Sequence, residues 1–359
     1  MKNRSCLHII IRDKFTSGYI NFLKANNFGW NHVFFTFDGS FQLKLTNTEN
    51  VFIVKDYGTI LKQYRSELEK ADRIILSSFF DNALRMINMP ARYWNKTYIQ
   101  FWGGDIYRFK QKRKGFINSS KQSIVKFLVT QCIKKSAGSL LMVEKDYDEM
   151  KKVFNLNYIP HQIVQVPDDF YEVNHYDFVG ITQKENYHGK RRILVGNSAT
   201  EENRHAEVFD LLKNMITPEV EIVVPLSYGI DEYRESIIQE GKRLFGESFV
   251  PILNYMTREE YIGFLSTCDT AIFNNNRQQA MGNIVLLANL GKKIYMREET
   301  SMWKFYKDTG FVFHPVSEIK SSSLEELLSM SEEEKVKNFA ALKAEEESGI
   351  RQWEDFYKQ

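Results

Sequence analysis

Cysteine is scarce: three residues in 359, Cys6, Cys132 and Cys268. They lie far apart and are odd in number, which excludes a disulfide framework and a cysteine-rich metal spacing, and fits a reducing cytoplasmic setting. No run approaches the about 20 apolar residues of a membrane span. The apolar stretch near the N-terminus is too short for a signal-peptide core and fits a first strand. A Walker phosphate-binding sequence, a convincing Asp-x-Asp metal pair, short-period repeats and low-complexity segments are all missing.

What remains is an ordinary folded composition, 43% hydrophobic and 26% charged, of a length that suits two domains. Net charge is only +2, yet residues 1–180 carry 26 Lys and Arg against 17 Asp and Glu, while residues 181–359 carry 22 against 29. A basic half and an acidic half predict two domains with different partners, over 1–180 and 181–340. The tail, 341–359, ends in Trp353, Phe356 and Tyr357 and is expected to dock back on the first domain.

Both halves alternate strand and helix. Strands are predicted at 7–11, 33–37, 73–76, 97–102, 139–143, 192–195, 221–225, 249–253, 269–273 and 294–296. Helices are predicted at 60–70, 82–87, 117–135, 146–153, 204–214, 230–244, 258–266, 284–290 and 323–347. The stretch 155–192 breaks the rhythm and reads as a crossover. Repeated βα units predict two parallel, doubly wound sheets, which bind ligands at the carboxyl ends of their strands and here face a common cleft.

The most informative stretch is 265–296. An apolar strand runs into the polar turn Asn274–Gln279, then Gly282, an apolar helix, Gly291 and a second strand. That order is a βαβ unit whose polar loop meets the positive end of a helix, where anions bind. Arg277 offers a fork of donors for phosphate oxygens, and Gln278, Gln279 and Asn283 add neutral donors. A diphosphate is the natural ligand, so a nucleotide-activated compound is the first candidate.

Other strand ends fit the same chemistry. Gly196, Asn197 and Ser198 form a glycine-poor phosphate or sugar loop, with Asn203 placed to cap the next helix and His205 in its first turn. Tyr228 can stack on a base or sugar, and the 251–257 strand end brings Leu253 and Tyr255 toward a base. Asp105, in Trp102-Gly103-Gly104-Asp105-Ile106-Tyr107, reads either as a base for an acceptor hydroxyl or as a turn residue capping a helix. Arg108–Lys135 holds nine basic residues, Lys110, Lys112, Arg113 and Lys114 among them, and no acidic one. Such a segment suits an anionic membrane surface, although nucleic acid is drawn by the same charge.

Four stretches, WGGDIY at 102–107, ILVGNSATEENRH at 193–205, VVPLSYG at 223–229 and IFNNNRQQAMGNIVLLANLGKKI at 272–294, keep the order and spacing of a known family. The chain resembles the TDP-Fuc4NAc:lipid II Fuc4NAc transferases of bacterial surface-polysaccharide synthesis, glycosyltransferase family 56. The resemblance implies a GT-B fold, with a nucleotide-sugar donor in the second domain and a lipid-linked glycan acceptor in the first. It also implies peripheral association with the cytoplasmic face of the inner membrane. No metal or other cofactor and no nucleic-acid partner is expected. Two other readings stay open: a GT-B enzyme of another kind, such as an epimerase or soluble-acceptor transferase, and a non-catalytic nucleotide or nucleic-acid binding module.

Overall fold

The computed structural model describes residues 4–13, 15–77, 86–110, 116–165 and 189–359. The chain divides into two compact units: Met1–Glu172 with Glu347–Gln359, and Val173–Glu346.

The first unit is built on a parallel sheet of β1 (Ser5–Ile10), β2 (Asn31–Phe37), β3 (Val51–Val54), β4 (Arg73–Ser77), β5 (Thr97–Gln100), β6 (Gly138–Leu141) and β7 (His161–Ile163). The strand order is β3-β2-β1-β4-β5-β6-β7. Because side chains alternate along a strand, the registered pairs sort the sheet into two faces. One carries Leu7, Ile9, Phe35, Ile74, Leu76 and Ile99 into an apolar core. The other carries Cys6, His8, His32, Phe34 and Tyr98, and is roofed by the helix Thr16–Ala25 and by the chain's last helical turns.

That second face buries polar groups in a closed chain. His32 Nε2 donates to the Asn27 carbonyl (3.0 Å), so its Nδ1 accepts from His8 Nε2 (2.9 Å), and His8 Nδ1 accepts from the Tyr19 hydroxyl (2.8 Å). Burial drives both imidazoles toward the neutral form, His32 down to about 4 and His8 well below its ordinary value. Cys6, His8 and His32 are the one potential metal-ligating group among the described residues. The chain terminus packs here: Tyr357 stacks on Phe28 and its carbonyl accepts from Trp30 Nε1 (2.9 Å), while Trp353 Nε1 donates to the Gln165 carbonyl (3.0 Å). Arg73 donates to the Phe356 carbonyl.

The second unit is a six-stranded parallel sheet of β8 (Arg191–Val195), β9 (Val220–Pro225), β10 (Phe249–Ile252), β11 (Thr270–Phe273), β12 (Lys293–Met296) and β13 (His314–Pro315), ordered β10-β9-β8-β11-β12-β13. Ile193, Val195, Ile222, Val224, Ile272 and Tyr295 share its core with Val208, Phe209 and Leu212 of the helix His205–Leu212.

Several expected elements are revised. One helix over 323–347 becomes two, Leu324–Leu328 and Glu332–Lys358. Ser331 and Glu334 cap each other's backbone and start the second afresh. The helix Phe116–Lys135 buries Val129, Cys132 and Ile133 but leaves Ile124 and Phe127 about 60% exposed, at 60% and 61%. Of the helix expected over 82–87, residues 82–85 lie outside the described residues.

Candidate active site

In an open α/β sheet the ligand crevice lies where strand order reverses, outside the carboxyl ends of the two strands concerned. In the second unit those strands are β8 and β11, and the loops after them are bonded to each other.

Gly196, directly after β8, has φ 69°. The Asn197 amide then donates to Asn203 Oδ1 (2.9 Å), and Asn203 Nδ2 donates to Ser198 Oγ (3.1 Å) and Thr200 Oγ1 (3.0 Å). Asn203 was expected to cap a helix. It instead pins this loop, because the helix starts after Arg204, which takes a left-handed conformation (φ 52°). His205 is fully buried. Its Nδ1 lies 3.1 Å from the Tyr233 hydroxyl, and burial pulls its pKa down to about 3.

Across the switch point, Asn275 Nδ2 donates to Asn197 Oδ1 (3.2 Å) and Gln279 Nε2 donates to Ser198 Oγ (3.0 Å). The loop after β9 joins them. Asn197 Nδ2 donates to the Tyr228 hydroxyl (3.1 Å), Ala199 and Gly229 form a short parallel bridge, and the Ala199 amide donates to the Tyr228 carbonyl (2.8 Å). Tyr228 remains about half exposed, at 49%, and partial burial raises its phenol pKa.

Arg277 is held from both sides: Nη1 donates to the Gln278 carbonyl (3.0 Å), and Nε lies 3.6 Å from Glu202 Oε1. The Asn276 amide donates to the Glu202 carbonyl (3.0 Å). Gln278 is buried against Met281. After Ala280, itself left-handed at φ 63°, the helix Met281–Asn289 begins. It starts earlier than expected, so Gly282 and Asn283 lie in its first turn, whose amides have no intrahelical acceptor. Asn283 Nδ2 donates to the Tyr261 hydroxyl (2.9 Å). A second charged knot backs the loop: Glu207 accepts from Arg204, from Asn274 (2.9 Å) and from Arg297 (2.9 Å), and these bonds, Arg204's first, pull its carboxyl down to about 2.

The remaining sequence candidates stand apart from this network. Leu253 and Tyr255 follow β10, one strand farther out, and are 48% and 76% exposed. Asp105, in the first unit, is fully buried and accepts from the Trp102 amide (3.0 Å), tying its own turn. It sits inside the first turn of the helix Gly104–Tyr107. Lys110 pairs with Glu149 (2.7 Å), and Lys112, Arg113 and Lys114 lie outside the described residues. Reading from sequence overlooked Glu202, Asn203 as a clamp, and Asn275. The crowding of amide side chains in NNNRQQ was the available signal.

Residues 65–341 match the family described as 4-alpha-L-fucosyltransferase, glycosyl transferase group 56. HepE of Anabaena, solved in complex with UDP and glucose, superposes with a TM-score of 0.67 at 11% identity, covering 99% of this chain and 100% of that one. A glycosyltransferase from Rickettsia africae gives 0.66 at 11% identity, over 100% and 98%. The E. coli trehalose-6-phosphate protein bound with UDP-2-fluoro glucose gives 0.64 at 10%, over 98% of each chain. Likeness at such identities speaks to fold, and the fold is GT-B.

Proposed function

The chain belongs to the group 56 glycosyltransferases, and from that premise we propose that it transfers a dTDP-linked deoxyamino sugar to an undecaprenyl-diphosphate-linked glycan at the cytoplasmic face of the bacterial inner membrane. The observation that carries the donor reading is the bonded network across the β8–β11 switch point, beside Arg277 and a helix N-terminus. Arg277, Gln278 and the first-turn amides of Gly282 and Asn283 hold the diphosphate, with Gly196, Asn197 and Ser198 opposite and Gln279 lining the donor pocket beside them. Fixed donors of this kind stabilise the charge that develops on a leaving nucleoside diphosphate. Tyr228, Leu253 and Tyr255 flank the base. UDP bound to HepE supports a nucleotide donor for this fold.

Residues 1–180 take the acceptor, 181–340 the donor, and 341–359 anchor the end of the chain. The reading of a lipid acceptor rests on the basic segment from Arg108 to Lys135, with Ile124 and Phe127 exposed between its lysines. Cationic side chains around exposed apolar ones suit an anionic lipid surface. No helix among the described residues is long and apolar enough to cross a membrane. Asp105 positions the acceptor by shaping the 102–105 turn, since its carboxylate is enclosed and already accepts a backbone bond.

The test is a thermal-shift panel of dTDP, UDP, GDP and ADP. A native-state ligand at a hundredfold its Kd adds about 2.7 kcal/mol of apparent stability. One nucleoside diphosphate is expected to raise Tm, and Arg277→Ala to remove that rise and abolish transfer. No response to any of the four, or an unchanged response in Arg277→Ala, defeats the assignment.

A further inference from the structure

Two side-chain carbonyls in the switch-point network are buried without a partner: Asn275 Oδ1 and Gln279 Oε1. Asn275 is wholly buried, and its amide nitrogen is spent on Asn197 Oδ1. Gln279's is spent on Ser198 Oγ. Asn203 beside them is fixed in its own orientation, because its oxygen accepts the Asn197 backbone N–H and its nitrogen donates toward Thr200. A buried acceptor left unpaired costs about 1–3 kcal/mol, so two together on one site call for an explanation. A diphosphate does not supply one, because its oxygens accept and offer no proton. The groups of a nucleotide sugar that donate are hydroxyls and amide N–H.

Building on the donor-site reading above, we infer that Asn275, seconded by Gln279, is a specificity residue: its carbonyl accepts a hydrogen bond from a hydroxyl or acylamino N–H of the transferred sugar. Arg277 and the helix amides carry the diphosphate, and the two carboxamides read the sugar attached to it. This reverses the sequence expectation for Gln279, which counted it as a donor to phosphate. A neutral acceptor is suited to the task, since a carboxylate here would repel the neighbouring diphosphate.

The experiment is calorimetric titration of the full chain with UDP, dTDP, UDP-N-acetylglucosamine and dTDP-glucose. It compares the parent protein with Asn275→Leu, Asn275→Asp and Gln279→Met, each checked for an unchanged far-UV spectrum. The quantity read is the ratio of Kd for the bare nucleotide to Kd for its sugar conjugate. Asn275→Leu is expected to lower that ratio about tenfold, the size of one hydrogen bond left unmade, with bare-nucleotide affinity held within about twofold. Asn275→Asp keeps an acceptor and is expected to retain the ratio better than Asn275→Leu. Gln279→Met lowers it in the same direction and guards against a folding defect confined to position 275. The inference is overturned if Asn275→Leu weakens bare nucleotide as much as conjugate, which makes the amide a phosphate donor. It is overturned equally if the ratio is unchanged in both Asn275→Leu and Gln279→Met, or if the parent protein gains nothing from any sugar. A parent protein that binds no nucleotide at all instead refutes the donor site itself.

Discussion

Gly196→Ala isolates the geometry on which the candidate-site loop after β8 depends. Gly196 has φ 69°, and a Cβ at this position would stand 2.6 Å from His205 Nε2 and 2.8 Å from Asn203 Oδ1. A left-handed non-glycine residue costs about 1–2 kcal/mol before any contact is counted. Neither neighbour can yield cheaply. His205 is buried with its other nitrogen against the Tyr233 hydroxyl, and Asn203 Oδ1 accepts the Asn197 amide. Displacing Asn203 leaves that buried amide unpaired for about 1–3 kcal/mol more. The total, about 2–5 kcal/mol, corresponds to a Tm loss of roughly 5–15 °C in a unit of this size. Gly310→Ala is the control, because its φ is 88° but nothing lies within 4 Å of the added carbon. It suffers the backbone penalty alone and leaves nucleotide binding intact. Differential scanning of both variants, with and without the stabilising nucleoside diphosphate, makes the comparison. If Gly196→Ala falls no further than Gly310→Ala and still binds nucleotide, the tight packing behind this loop is not what shapes the site.

Two further outcomes are expected. His8, His32 and His205 are held neutral by burial, with His32 and His205 depressed to about 4 and about 3. The unfolded chain, titrating near pH 6.5, therefore binds more protons than the folded one below that point. Stability should be full above about pH 6.5 and fall as pH drops toward 4 and then 3. A Tm that stays flat from pH 7.5 to about pH 4.5 contradicts the buried-neutral assignment, and His205→Leu should lessen the slope. Asp105→Asn keeps an oxygen for the Trp102 amide, so transfer should stay within about tenfold with an unmoved pH profile. A general base contributes about 10²–10⁴, and a loss of that size would make Asp105 the proton acceptor.

The alternation of strands and helices was legible because buried parallel strands are short apolar runs with polar stops. What escaped has physical causes. The helix Thr16–Ala25 buries Tyr19, Ile20, Phe22 and Leu23 together with Thr16, Ser17 and Gly18, leaving only Asn21, Lys24 and Ala25 less buried, a polar stripe too narrow to betray its period. β7 and β13 are three and two residues long, too short to register as a pattern. The polar face of the first sheet was also hidden: His8 and His32 look like interruptions of apolar strands until the fold sets them 2.9 Å apart, 24 residues distant in sequence.

The candidate site shows the same division between local and long-range information. Each polar loop could be recognised as a strand end, but which loops meet depends on strand order, and that order departs from chain order. β10 precedes β11 in sequence yet sits at the sheet's edge, while β11 lies beside β8. This places Asn275 against Asn197, 78 residues away, and Gln279 against Ser198, 81 residues away. It leaves Leu253 and Tyr255 on the outer strand end, exposed. A one-residue change in the register of β11 against β8 would turn its side chains to the opposite face. The pairing of Thr270 with Ile193 and of Ile272 with Val195 is thus as much a determinant of the candidate site as the amide side chains themselves.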